Sequence, residues 1–108
     1  MTPEGMTHYE GGGMKHNGGK LRLSLVPRGG IRVVARVMQK ALEKYKEGSW
    51  VNVPIAEYRE AVHRHLLDYL DDPTGLDKES GLPHYAHLAA NALIIAELEE
   101  KIKREVKE

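Results

Sequence analysis

His84, His87 and Asn91 share one stripe of an otherwise apolar segment, "PHYAHLAANALIIAEL". Their i, i+3, i+7 spacing puts them on a single helical face, which continues through Ile94 or Ile95 to Leu98. A buried polar group without a partner costs about 1–3 kcal/mol, so a core helix has no use for three of them. His65 interrupts the apolar stripe of an upstream segment in the same way. Two antiparallel helices joined through Asp71–Gly81 would bring His65 close to His84 and His87.

Imidazoles in such a place can bond to each other or to backbone, or they can do one of three kinds of chemistry. A metal site would draw on His65, His84 and His87 with Asp77, although no familiar spacing such as HExxH is present. An acid–base site would pair a histidine with Asp77 or Glu79. An anion site would use the free amides and dipole of the helix N-terminus, joined by Ser80, His84 and basic side chains. Arg64 could add a guanidinium fork; its plainer reading is an i,i+4 surface pair with Glu60 or Asp68.

The elements that position these groups follow from periodicity. Ile31, Val34, Ala35, Met38, Leu42 and Tyr45 recur at helical spacing, predicting a helix over about 30–47 that Gly48 ends. Tyr58, Ala61, Val62, His65, Leu66 and Tyr69 make the stripe of a second helix over about 55–70. "DDPTGLDKESG" is a loop by composition, and Pro83 suits the first turn of a third helix over about 83–103. Ten of the twelve residues from Tyr85 to Ala96 are apolar, so this helix is expected to be buried nearly all round.

Upstream, "KLRLSLVP" alternates with period two, which reads as a short strand or extended arm. A lone strand is unstable, so it needs helices or a copy from another subunit to lie on. Residues 1–19 hold six of the eleven glycines and no periodicity, and are expected to be a flexible N-terminus. The resulting expectation is an all-α domain over 20–108: three main helices, an extended basic N-terminal arm and an oligomeric helical assembly.

Bulk numbers narrow the function. A chain of 108 residues is one small domain, burying about two thirds of its surface, and a helix this apolar calls for a homo-oligomer. Without cysteine there is no disulfide, thiolate nucleophile or Cys-based zinc site. No run of eighteen apolar residues and no signal-peptide pattern occur, so neither a membrane nor export is expected and the cytoplasm is the default. Sixteen basic and sixteen acidic residues cancel, which argues against nucleic-acid binding. The charges are nevertheless segregated: Gly11–Leu42 has no acid, while Asp68–Glu79 carries five acids against Lys78. The two patches can neutralise each other, or form a phosphate site beside a cation site.

"GGKLRLSLVP", "VARVM…EKY…W", "RHL" at Arg64–Leu66 and "DKESGLPHYAHLAANAL" occur in that order and resemble the phage-encoded family named for the dATP/dGTP diphosphohydrolase N-terminal domain. The resemblance spans roughly residues 18–99. It implies a small, mostly helical protein that handles phosphorylated purine nucleotides in the host cytoplasm. The nucleotide-binding positions it carries over are Lys20, Arg22, Lys44, Tyr45 and Trp50, then Arg64 and His65, then Asp77, Glu79, Ser80, His84, His87 and Asn91. The chain departs from the family at Ala41-Leu42-Glu43, Ser49-Trp50-Val51 and Asp71-Asp72.

Two functions are compatible with these residues. One is hydrolysis of a purine deoxynucleoside triphosphate with Mg²⁺. The other is a non-catalytic sponge that sequesters a nucleotide immune signal and so counters host defence; it would need no cofactor. All-α pyrophosphatases hold Mg²⁺ with paired carboxylates, and here Glu57/Glu60 and Glu97/Glu100 have i,i+3 spacing, on polar faces or near a solvated helix end. Catalytic residues and metal ligands are not identified at this level.

Overall fold

The computed structural model describes residues 6–8, 10–16 and 18–107. Three α-helices dominate: α1 (Arg28–Ala41), α2 (Ile55–Asp71) and α3 (His84–Lys107). Within the N-terminal segment, β1 (Met6–His8) and β2 (Met14–His16) pair antiparallel. No helix among the described residues is long and apolar enough to cross a membrane.

α1 and α2 pack chiefly on α3. Small residues let the helices close: Ala61 of α2 and Ala86 and Ala90 of α3 are buried, with Leu98 extending the core toward the C-terminus. An exposed Arg59–Glu99 ion pair at 2.7 Å ties α2 to α3; such surface pairs add about 0–1 kcal/mol, so packing, not charge, sets the register. α2 turns most of the stripe expected of it inward: Ala61 is buried and Tyr58, Val62, His65 and Tyr69 are half-buried, while Leu66 is exposed.

Three expectations change. First, α1 stops at Ala41: Leu42, Glu43 and Lys44 donate to the carbonyls three residues back, and the chain unwinds into a turn before Gly48, whose φ of 78° admits the left-handed conformation. Leu42 and Tyr45 therefore leave the helical stripe. Second, Lys20–Pro27 forms no strand. Leu25 and Val26 donate to Arg22 and Leu23 carbonyls in a single 3-10 turn, and Leu21, Leu23 and Leu25 are exposed; the segment joins neither strand of the β1–β2 pair, and a lone strand is unstable. Third, α3 is not buried all round. Tyr85, Ala89, Ala92, Leu93 and Ala96 face solvent, since two neighbouring helices cover only one side of a third.

Candidate functional site

The Asp77–Gly81 loop is built around one carboxylate. Asp77 Oδ2 accepts from the Ser80 N–H at 2.9 Å and the Glu79 N–H at 3.1 Å, while the Asp77 C=O accepts from Gly81 N–H at 2.8 Å. Gly81, at φ 73°, supplies the left-handed turn. An antiparallel bridge between Leu76 and Pro83 closes the loop against the start of α3. Burial by itself would raise the Asp77 carboxyl; the Ser80 hydrogen bonds and the neighbouring His87 and His65 outweigh it and hold the group below the usual carboxylate range.

This loop presents Ser80 to His87. Ser80 Oγ accepts from the Leu82 N–H at 3.1 Å and shares a hydrogen bond with His87 Nε2, 2.6 Å away. Asp77 Oδ2 lies 3.9 Å from that same nitrogen. A nucleophilic triad needs the acid on the other ring nitrogen, so these three groups do not form one. Burial lowers the His87 pKa, partly offset by Asp77, and burial followed by the His87 charge lowers that of His65. The two rings stack at 4.8 Å and 17°.

His87 opens onto a cleft of about 660 Å³ between α3, the acidic loop and the turn after α1. Its walls carry Lys44, Tyr45, Trp50, Tyr58, Glu79 and Asn91. Lys44 and Glu79 form an ion pair across the rim. The Tyr58 hydroxyl donates to the Trp50 C=O at 2.8 Å, so α2 fixes the 3-10 turn Ser49–Asn52 that holds the indole. Asn91 gives one amide hydrogen to the His87 C=O at 2.7 Å.

The predicted site residues thus divide. Lys44, Tyr45, Trp50, Asp77, Glu79, Ser80, His87 and Asn91 share the cleft. His65 and His84 converge at the α2–α3 junction as expected, but behind His87 and outside the cleft lining. Lys20, Arg22 and Arg64 are exposed and do not line it. The α3 N-terminus has fewer open amides than an anion site would use, because His84 N–H is taken by the Gly75 C=O at 3.3 Å and Ala86 N–H by the Pro83 C=O at 3.0 Å.

Sequence reasoning passed over three residues. Tyr58 read as ordinary core, yet it positions Trp50. Gly75 read as a loop glycine, yet a Cβ there would stand 2.5 Å from Asp72 Oδ2 and 3.0 Å from His84 Nε2. Asp68 was assigned only to an Arg64 pair, although its i+3 spacing from His65 puts both on one face; with His84 they form the one group of three candidate metal-ligating side chains among the described residues, their ligand atoms within 4.8 Å of one another. The metal set expected from sequence, with His87 and Asp77, is accordingly redistributed. Two imidazoles and one carboxylate do not fit Mg²⁺, which prefers oxygen ligands, and Glu57, Glu60, Glu97 and Glu100 are exposed and form no such group. His65 Nδ1 and His84 Nδ1 are buried without a hydrogen-bond partner, each an omission worth about 1–3 kcal/mol.

The comparisons with known proteins agree with the motifs. Residues 10–108 match the family described as dATP/dGTP diphosphohydrolase, N-terminal. Over 83 residues the chain is 36% identical to a protein of Salmonella phage PMBT28 named dATP/dGTP diphosphohydrolase. That alignment covers 77% of this chain and 28% of the relative, so the chain spans under a third of the relative's length. No solved structure matches it. The chain belongs to the dATP/dGTP diphosphohydrolase N-terminal family.

Proposed function

We propose that the cleft binds a phosphorylated purine nucleotide and that the chain is the nucleotide-holding part of a purine deoxynucleoside triphosphate diphosphohydrolase, working in the cytoplasm of a phage-infected cell. The observation that carries the reading is the cleft itself. Its volume of about 660 Å³ lies inside the usual range of roughly 300–1,000 Å³ for small-molecule sites. Tyr45 and Trp50 offer aromatic faces to a base, and Lys44 can exchange Glu79 for a phosphate oxygen. Hydrolysis adds attack of a water oxygen on the α-phosphorus, with pyrophosphate leaving; His87 is the imidazole facing the cleft and able to accept the water's proton.

Trp50 is the single tryptophan, so its emission reports occupancy directly. Titration with dATP or dGTP is expected to give a saturable change, with pyrimidine triphosphates weaker. Chromatography after incubation with divalent cations should then show the monophosphate and pyrophosphate. Intact nucleotide recovered only on heating would replace hydrolysis by sequestration, and the absence of any saturable change at millimolar purine nucleotide would end the reading.

Self-association belongs to the same proposal. A compact 12.1 kDa monomer exposes about 6,000 Å², whereas this chain exposes 8834 Å². Its radius of gyration is 19.1 Å, against about 13 Å for a compact domain of this length. Ile31 on α1, Leu66, Leu67 and Leu70 on α2, and Leu93 on α3 are all exposed. A second copy of the chain would cover such surface. Light scattering at micromolar concentration should give a multiple of 12.1 kDa, and the monomer mass would refute self-association.

A further inference from the structure

We propose that His65, Asp68 and His84 bind one divalent transition-metal ion, of the manganese, iron, cobalt or zinc type, at the α2–α3 junction. One ligand atom from each side chain lies within 4.8 Å of the others. His65 and Asp68 stand one turn apart on α2, and His84 is the first residue of α3, so two rigid elements present the set.

Two independent features point to a bound ion. The Nδ1 atoms of both imidazoles are buried with no hydrogen-bond partner, although buried polar atoms are nearly always satisfied by protein, water or an ion. The surroundings are also held in place. Ala61, Ala86 and Ala90 close the helices beside it, and His84 N–H is anchored on the Gly75 C=O. Gly75 is needed there, because the Asp72 carboxylate and His84 Nε2 both lie within 3.0 Å of where its Cβ would stand.

The donor set selects the class of ion. Imidazole nitrogen with carboxylate oxygen suits borderline first-row metals, while magnesium and calcium take oxygen. Three protein ligands leave coordination positions for water or a ligand oxygen. His65 also stacks on His87, so an ion fixing His65 would brace the ring that faces the cleft.

The full chain, stripped with chelator, is titrated with Co²⁺, Zn²⁺, Mn²⁺ and Mg²⁺ and followed by calorimetry and by cobalt visible absorption. One equivalent of at least one transition ion per chain is expected, with no saturable Mg²⁺ binding. Asp68→Ala, at an exposed position that should fold normally, and His84→Leu are each expected to weaken binding at least tenfold. His63→Ala, an exposed histidine on the same helix, should leave it unchanged. No saturable binding of any transition ion would overturn the proposal, as would wild-type binding in both Asp68→Ala and His84→Leu. The readout is metal occupancy, so it stands apart from whether the cleft takes a nucleotide.

Discussion

Asp77→Ala is expected to lower the melting temperature by roughly 5–15 °C and to remove most nucleotide affinity. Two backbone N–H groups end on Asp77 Oδ2, and hydrogen bonds to a charged acceptor contribute about 1.5–3 kcal/mol each when well shielded. Half-burial discounts that, so a total of about 1–3 kcal/mol is reasonable, and each kcal/mol shifts a domain of this size by several degrees. The functional loss has a separate origin. Without the carboxylate the Ser80 and Glu79 amides lose their anchor, Ser80 Oγ no longer meets His87 Nε2, and Glu79 no longer holds its place opposite Lys44. Asp77→Asn keeps one acceptor oxygen and should recover most of the melting temperature. Thermal scans and Trp50 titrations on both variants decide the matter. Wild-type melting and affinity in Asp77→Ala would show that the loop stands without its central side chain.

Tyr45→Ala should do the opposite, leaving the fold intact while weakening purine binding about 5- to 150-fold, the equivalent of roughly 1–3 kcal/mol for one stacked base. Tyr45 is 63% exposed and outside α1, so its ring contributes little to the core. Trp50, half-buried and pinned by Tyr58, is less suited to a clean test because its removal loosens the turn it sits on. Tyr45→Phe should bind nearly as wild type if the ring face is what matters. Equal affinity in Tyr45→Ala and wild type would move the base elsewhere in the cleft.

His87 sits where two arrangements meet. On one side it bonds Ser80 and faces the cleft; on the other its ring lies against His65, which shares the α2–α3 junction with Asp68 and His84. Stacking couples the two sides mechanically. A change that tilts His65 is therefore expected to be felt at Ser80, although no side chain of the junction trio lines the cleft.

Much of this was legible in the residues alone. Helical periodicity located α2 and α3 and the loop between them, because amphipathic spacing follows from local backbone geometry that a tertiary partner only has to accept. The short acidic connection forces the two helices antiparallel, so the convergence of His65 with His84 and His87 was also determined by sequence. The motif residues identified the family. Tertiary structure decided how the polar groups were shared out. Asp77 turned inward onto its own loop amides and toward His87, while Asp68, read as a surface charge, took the place beside His65 and His84. The difference is rotational: one turn of helix separates His65 from Asp68, but only the position of α3 tells which face of that turn is shielded. The cleft could not be read from any local pattern, since its walls come from segments distant in sequence and meet only where small alanines let α1 and α2 approach α3. The period-two arm and the all-round apolar α3 failed for a single reason. Each pattern states a demand for a neighbour, and one chain with three helices cannot meet every such demand by itself.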